Sequence, residues 1–183
     1  MRIKYCAATT DDELAQILEL QAANHTLSIT ESQANSNGFV TVMHSFELLK
    51  QMNNAEPQII AKNEGKVIGY ALVMLESFAG MIPVLQPMFD KLATIPYRNR
   101  NIREQSFYVM GQICIHESYR GMGVFDELYQ THKKLLHPAY DLCITSVATR
   151  NKRSMKAHER VGFQMVNTFR DATDEWSILV WPL

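Results

Sequence analysis

The sequence predicts an α/β fold in which helices flank a mixed sheet. An apolar run at residues 106–115 ends in a glycine-bearing turn that opens a helical pattern, and another apolar run follows at residues 142–148. Strand, turn, helix and strand in this order are typical of a crossover unit, which joins parallel strands. Two further apolar runs, at residues 58–62 and 67–75, are joined by a short turn with Gly65 and predict an antiparallel hairpin.

The first third of the chain predicts one strand and at least two helices. Residues 3–7 are a short strand, and Thr10 with Glu13 matches a capping box in front of apolar residues at helical spacing. Residues 35–38, Asn-Ser-Asn-Gly, predict a break, after which Ser45 is placed to cap a later helix.

The region after the hairpin differs from the rest. Residues 78–105 contain Pro83, Pro87 and Pro96 and only a short helical pattern at about residues 84–92. We interpret this region as a variable insertion within one domain that spans residues 1–183.

The remaining elements complete a sheet of about seven strands. A helix is predicted over residues 124–136, with Val124, Leu128 and Leu135 on one face, and another over residues 152–161, closed by Gly162. Two final strands are predicted at residues 163–169 and 176–181.

Composition narrows the class of protein. The chain has 183 residues, of which 46% are hydrophobic and 20% charged, and its net charge is −1. This length predicts one domain with a sizeable core, and near-neutral charge argues against a nucleic-acid partner. We expect Cys6, Cys114 and Cys143 to be buried free thiols, and we expect no metal site. No run has the pattern of a signal peptide or membrane span, so we expect a cytoplasmic protein without a membrane partner.

The turn at residues 120–125 carries the first functional signal. Gly121 and Gly123 allow the backbone N–H groups to approach a ligand at the start of a helix, where an oxyanion is favoured. The alternative is that a strand-to-helix turn needs glycine for steric reasons alone. A P-loop fits worse because no Lys-Ser/Thr pair follows, and a dinucleotide fingerprint fits worse because Asp126 stands in place of its third glycine.

A second segment makes the signal specific. Residues 151–163, Asn-Lys-Arg-Ser-Met-Lys-Ala-His-Glu-Arg-Val-Gly-Phe, lie one predicted strand after the turn. Together the two segments resemble the GCN5-related N-acetyltransferases (the GNAT superfamily), in which Gln/Arg-x-x-Gly-x-Gly/Ala is followed by Asn-x-x-Ser/Ala-x-x-x-Tyr/His-x-x-x-Gly-Phe. The match is close over residues 106–165. It implies a mostly antiparallel sheet that splays between the strands ending at Ile115 and Ala148.

The resemblance also implies which residues hold the acetyl donor, acetyl-CoA. The turn would bind the pyrophosphate of coenzyme A, and the end of the preceding strand would pair with the pantetheine arm. Asn151 and Ser154 match positions near the pantetheine and thiol. The implied set is therefore Ile113, Cys114, Ile115, Arg120, Gly121, Met122, Gly123, Val124, Phe125, Asn151 and Ser154. Phe125 departs from the family pattern, which has Gly or Ala there, and we expect its side chain to point away from the phosphate.

Two residues are candidates for proton transfer. His158 matches the position of a tyrosine that protonates the departing thiolate in many relatives. Many relatives also carry a carboxylate on the strand before the turn, but residues 108–112 offer none. Deprotonation of an ammonium acceptor would then need Glu117, a residue of the substrate pocket, or a chain of waters. Each residue also has a structural explanation: Asn151 as a helix N-cap, His158 as a packing residue, and Arg120 and Glu117 as solvated charges.

The sequence therefore predicts acetyl-CoA-dependent N-acetyl transfer to a primary amine of a small molecule or peptide, by a monomer or homodimer. The alternatives are an acyl-CoA-binding module without catalysis, an acyltransferase for hydroxyl groups or longer chains, and an unrelated nucleotide-binding enzyme. The resemblance implies that residues 22–45 and 78–105 select the acceptor, which the sequence does not identify.

Overall fold

The fold of the chain is known from a computed structural model, which describes residues 2–25, 40 and 42–183. The helices are α1 (Asp11–Ala23), α2 (Phe46–Ala55), α3 (Gln86–Leu92), α4 (Val124–Leu136) and α5 (Lys152–Val161). The strands are β1 (Lys4–Ala7), β2 (Ile59–Asn63), β3 (Lys66–Met74), β4 (Pro96–Tyr97), β5 (Arg100–Asn101), β6 (Phe107–Ile115), β7 (Leu142–Ala148), β8 (Gln164–Arg170) and β9 (Glu175–Pro182). The predicted break at residues 35–38 lies outside the described residues.

Seven strands form one sheet in the order β1-β2-β3-β6-β7-β9-β8, and β4 pairs separately with β5. The pairs β1–β2, β2–β3, β7–β9 and β8–β9 are antiparallel, whereas β6–β7 is parallel. The predicted α/β fold with a mixed, mostly antiparallel sheet flanked by helices is therefore confirmed. The parallel register joins Phe107–Val109 of β6 to Leu142–Ile144 of β7. The predicted splay beyond these residues stays a prediction.

The described chain divides into two compact units. The first comprises Met1–Val73 and Gly111–Leu135, and the second comprises Met74–Met110 and Leu136–Leu183. The boundary falls within β6, so residues 111–115 of that strand belong to the first unit.

Local sequence signals explain how the first unit begins. The Thr10 side chain accepts a hydrogen bond from the Glu13 amide, and the Glu13 carboxylate accepts one from the Thr10 amide, which confirms the capping box. Ser45 caps α2 through the Leu48 amide, also as predicted. The apolar faces of α1 and α2 then pack with side chains of β2 and β3 in one buried cluster, which includes Leu14, Ile17, Leu49, Ile60, Tyr70 and Leu72.

Helix α4 spans the predicted residues, Val124–Leu136. Val124 and Leu128 are buried, whereas Leu135, which was predicted on the same face, is 47% exposed. The buried face instead continues through Tyr129 and His132, whose Nε2 atom lies 3.3 Å from the carbonyl oxygen of Ala71 in β3.

The second unit contains the predicted insertion. Within residues 78–105 the structure has short 3-10 turns, helix α3 and the β4–β5 hairpin. The hairpin was missed from sequence because its turn residues, Arg98 and Asn99, adopt φ of 51° and 65° without a glycine. Cys143 in this unit and Cys114 in the first are buried free thiols, as predicted, whereas Cys6 is only half-buried. Among the described helices, none is long and apolar enough to cross a membrane.

Candidate functional site

The glycine turn between β6 and α4 has two residues in left-handed backbone conformations. Gly121 and Gly123 have φ of +78° and +79°, in the left-handed region that side chains other than glycine rarely adopt. A Cβ atom built on either residue would meet no atom within 4 Å. Crowding therefore does not explain these glycines. Alternating backbone conformations of this kind point successive N–H groups towards one concave side, next to the positive end of a helix.

Arg120 lies at the base of this turn, where its guanidinium is held in place. Its Nε donates a hydrogen bond to the carbonyl oxygen of Ile115 (3.0 Å), and its Nη2 donates one to Oδ1 of Asn24 (2.7 Å). The side chain is thus folded back along the end of β6. The alternative explanation, a solvated charge, would have it extend into solvent. This arrangement places a fixed positive charge beside the turn.

The first turn of α4 accommodates the departure from the family pattern. The Phe125 ring is half-buried and lies against Tyr129, with their centroids 5.1 Å apart, and the expectation that this side chain points away from the phosphate stays a prediction. The Glu127 amide donates to the carbonyl oxygen of Gly123 (3.1 Å), so the helical hydrogen-bond ladder begins at Gly123. Earlier amides of a helix lie outside such a ladder and are the usual donors to an anion.

The end of β6 leads into the turn. Cys114 is buried and Ile113 and Ile115 are half-buried, while the His116 amide donates to the carbonyl oxygen of Ile68 in β3 (2.9 Å). Burial raises the pKa of Cys114 to about 11, which keeps it a thiol at neutral pH. Cys114 is therefore a packing residue and no nucleophile. Met122 is exposed in the turn and Val124 is buried at the start of α4.

Gln112 lies on β6, within the stretch at residues 108–112 that lacks a carboxylate, and it is part of a buried network. Its Oε1 accepts hydrogen bonds from Tyr70 Oη and Gln21 Nε2, both at 2.6 Å, and its Nε2 donates to the carbonyl oxygen of Val42 (2.9 Å). Gln21 and Tyr70 are fully buried. The group is neutral, so this strand offers no general base.

His44 completes the network. Its Nδ1 accepts a hydrogen bond from Gln21 Nε2 (2.9 Å), and its backbone amide donates to Gln21 Oε1 (2.8 Å). Burial lowers the pKa of His44 to about 4, which keeps the ring neutral at pH 7. Sequence reasoning missed this network. The available signal was Gln21, a polar residue that follows Leu14 and Ile17 on the apolar face of α1 at helical spacing.

Glu117 lies just beyond β6, in a 3-10 turn over Glu117–Tyr119, and its side chain is exposed. Its carbonyl oxygen accepts a hydrogen bond from the Arg120 amide (3.2 Å). The structure therefore gives its backbone a part in shaping the turn, and the base role of its carboxylate stays a prediction.

In the second unit, the predicted site residues cluster at the start of α5. Asn151 is the N-cap, since its Oδ1 accepts a hydrogen bond from the Ser154 amide (3.1 Å). Gly162 ends the helix with φ of +116°, as predicted. The structural explanation of Asn151 is thus correct, and it is compatible with a cofactor contact.

His158 lies one turn beyond Ser154 in α5, and it is 1% exposed. Its Nδ1 is 2.8 Å from the carbonyl oxygen of Ser154, and its ring packs edge-on against Phe163. Burial lowers the pKa of His158 to about 4, only partly opposed by this hydrogen bond. A carbonyl oxygen only accepts, so Nδ1 carries the proton and Nε2 of the neutral ring is an acceptor. This geometry argues against His158 as the proton donor to a thiolate, although the role itself stays a prediction.

The structure thus gathers the predicted residues into two groups. Ile113 to Phe125 belong to the first unit, whereas Asn151, Ser154 and His158 belong to the second. Among the described residues, no three His, Cys, Asp or Glu side chains are placed to hold a metal ion.

Comparison with known proteins identifies the family. The Acetyltransferase (GNAT) family matches residues 24–163, a range that contains both predicted motifs, the turn at residues 120–125 and the segment at residues 151–163. A search of curated proteins found no significant sequence match.

Solved structures with the same fold include enzymes that acetylate proteins. A chain of the NatC complex bound to Gag peptide and CoA is 16% identical, with 100% of this chain and 99% of that chain covered and a TM-score of 0.66. The ribosomal-protein-S18-alanine N-acetyltransferase from Escherichia coli is 13% identical, with coverage of 99% and 94% and a TM-score of 0.64. Arabidopsis thaliana Naa50, in complex with the bisubstrate analogue CoA-Ac-MVNAL, is 12% identical, with 100% of both chains covered and a TM-score of 0.66. At these identities the likeness shows the fold, and the family match over residues 24–163 shows that the chain belongs to the acetyltransferase (GNAT) family.

Proposed function

We propose that this protein transfers the acetyl group of acetyl-CoA to a primary amine of a small molecule or peptide. The observation that carries the proposal is the turn at residues 120–125, where Gly121 and Gly123 adopt left-handed conformations and face open space at the start of α4. In a member of this family, such a turn fits the pyrophosphate of coenzyme A.

The chain offers further groups to hold the donor. In this proposal the turn binds the pyrophosphate, backbone groups of Ile113–Ile115 pair with the pantetheine amides, and Asn151 and Ser154 contact the thiol end. The amine attacks the thioester carbonyl directly, and backbone N–H groups stabilise the oxyanion that develops. We further propose that residues 1–183 act as one domain and that residues 78–105 contribute to acceptor choice.

Proton transfer in this proposal does not use a carboxylate on β6. Gln112 and its partners are neutral, so an ammonium acceptor must lose its proton to water or to an exposed group such as Glu117 before attack. The thiolate takes its proton from solvent or from His158, and the second route requires the imidazole to carry a proton on Nε2.

The proposal names the acceptor group, an amine, and the kinds of molecule that could carry it. Transfer to an amine is supported by membership of the acetyltransferase (GNAT) family, while the turn bears only on the donor. A peptide acceptor is supported by the relatives, which include the S18-alanine N-acetyltransferase and structures solved with peptides or peptide analogues. Small amines remain within the proposal because sequence identities of 12–16% are too low to transfer the substrate of a relative to this chain.

One observation favours a second function, the binding of acyl-CoA without transfer. Residues 108–112 of β6 carry no carboxylate, and a module that only senses the cofactor needs no base. Such a module would bind acetyl-CoA and release no thiol with any acceptor.

The test combines binding with turnover. Isothermal titration with acetyl-CoA and CoA should show saturable binding, and free-thiol release should be followed with a panel of small amines, peptides with free N-termini and alcohols. The same peptides with acetylated N-termini are the matched control. Thiol release that requires a free amine supports the proposal, binding without turnover supports the second function, and absence of binding overturns both.

A further inference from the structure

Asn24, at the C-terminal end of α1, connects three parts of the first unit. Its Nδ2 donates a hydrogen bond to the carbonyl oxygen of Leu20 (2.9 Å), and its Oδ1 accepts one from Nη2 of Arg120 (2.7 Å). Its own carbonyl oxygen accepts a hydrogen bond from the Val40 amide (3.2 Å). Asn24 and Arg120 are 96 residues apart in sequence, so only the fold brings them together.

These contacts determine the orientation of the Arg120 guanidinium. The carboxamide of Asn24 is itself fixed by Leu20, and Nε of Arg120 is fixed by the carbonyl oxygen of Ile115. Two bonds from different nitrogens define the plane of a rigid fork. These two bonds use two of the five N–H groups of the guanidinium. A guanidinium held in this way has donors left for an anion at the adjoining turn.

We propose that Asn24 is a positioning residue for the phosphate site, which orients Arg120 so that its remaining N–H groups face the pyrophosphate of coenzyme A. The inference rests on the proposed function, because it takes coenzyme A as the ligand of the turn. Asn24 touches no ligand in this proposal and acts only through Arg120. Pre-orientation raises affinity because a flexible arginine side chain would otherwise lose rotamer freedom on binding.

A double-mutant cycle tests this coupling. The dissociation constant of CoA is measured by isothermal titration for wild type, Asn24→Ala, Arg120→Ala and the double variant. We expect Asn24→Ala to weaken binding by about tenfold in the wild-type background, the size of one charge-assisted hydrogen bond. In the Arg120→Ala background the same change should have almost no effect, since the residue it orients is gone.

A merely structural role of Asn24 would give a different result. Loss of the helix-end contact would weaken binding by the same factor with and without Arg120, and that outcome overturns the inference. Asn53→Ala is the matched control: Asn53 is also half-buried and joins two segments of the first unit, through the carbonyl oxygen of Ala8 and the Gln58 amide. It should lower thermal stability and leave the affinity for CoA unchanged.

Two further outcomes are separable. If wild type fails to bind CoA, the proposed function fails, and the inference that rests on it fails as well. If wild type binds and the cycle is additive, only the positioning role is overturned. Should Asn24→Ala not fold, Asn24→Ser keeps a polar side chain at the helix end but is too short to reach Arg120, and it takes the place of alanine in the cycle.

Discussion

The Nδ1 atom of His158 lies 2.8 Å from the carbonyl oxygen of Ser154, one turn earlier in the same helix. This distance places the ring proton on Nδ1, and burial lowers the pKa of the imidazole to about 4. At pH 7 about one ring in a thousand is then protonated. A residue in this state is better suited to hold the start of α5 than to supply a proton.

His158→Phe tests the two roles. We expect lower thermal stability, because the bond to Ser154 is lost, and little change in kcat for thiol release with a responsive amine. His158→Gln, which keeps a polar group, is the comparison variant. A fall in kcat of about a hundredfold or more in both variants, with their fold intact, would establish the acid role.

Stability should depend on pH through three buried histidines. Burial lowers the pKa of His44, His132 and His158 to about 4, against about 6.5 in the unfolded chain. Between these values the unfolded state binds more protons, so the free energy of unfolding rises with pH. The stability is therefore complete above about pH 6.5 and is lost as pH falls towards 4.

Calorimetry of unfolding near pH 5 measures this directly. Unfolding should take up about one proton per buried histidine, and His132→Gln should remove about one of them. His137→Gln is the control, since His137 is exposed. Equal proton uptake in wild type and His132→Gln would contradict the burial of this ring.

Gly121→Ala and Gly123→Ala should weaken binding of CoA more than they lower stability. The backbone strain of alanine at positive φ costs about 1–2 kcal/mol, and no neighbouring atom adds to it. A methyl group would, however, occupy the open space proposed for the pyrophosphate. We expect the dissociation constant to rise about tenfold or more.

Gly65→Ala separates the effect of backbone strain from the effect of filling the proposed pyrophosphate site. Gly65, in the β2–β3 turn, has φ of +85° and likewise no atom within 4 Å of a built Cβ. The Gly65→Ala variant should lose about as much stability as Gly121→Ala and Gly123→Ala, and it should bind CoA normally. If all three variants bind CoA equally well, the turn is no phosphate site.

Variants that break the hydrogen-bond network around Gln112 should lower the free energy of unfolding. Gln112→Leu leaves the buried Tyr70 hydroxyl and one N–H of Gln21 Nε2 without an acceptor, while Gln21 Nε2 keeps its bond to His44. Each donor that loses its acceptor costs about 1–3 kcal/mol. Tyr70→Phe removes one donor but leaves Gln112 bonded to Gln21, so its effect should be smaller. Urea denaturation measures both, and additive effects in the double variant would argue against a connected network.

The rate should follow the protonation of the acceptor. Without a carboxylate on β6, kcat/KM is expected to rise about tenfold per pH unit up to the pKa of the acceptor amine, near 8 for a peptide N-terminus and 10.4 for lysine. A plateau that starts at the same pH for acceptors of different pKa would instead reveal a base in the protein.

Much of the fold could be predicted because its signals are local. Thr10 and Glu13 lie within one helical turn, and Gly162 directly follows the helix that it ends. Such signals depend on backbone conformation and near neighbours, which the chain carries in any context. The β4–β5 hairpin was missed because Arg98 and Asn99 give no glycine signal for their positive φ.

By itself, the sequence determined the order of the elements, the glycine turn and the family motif, since each depends on residues close together in the chain. Only the tertiary structure decided which polar groups bond to one another and which are buried. Gln21 and Gln112 are 91 residues apart, and Asn24 and Arg120 are 96 apart. Burial lowers the pKa of His158, and burial is a property of the packed fold rather than of any short segment.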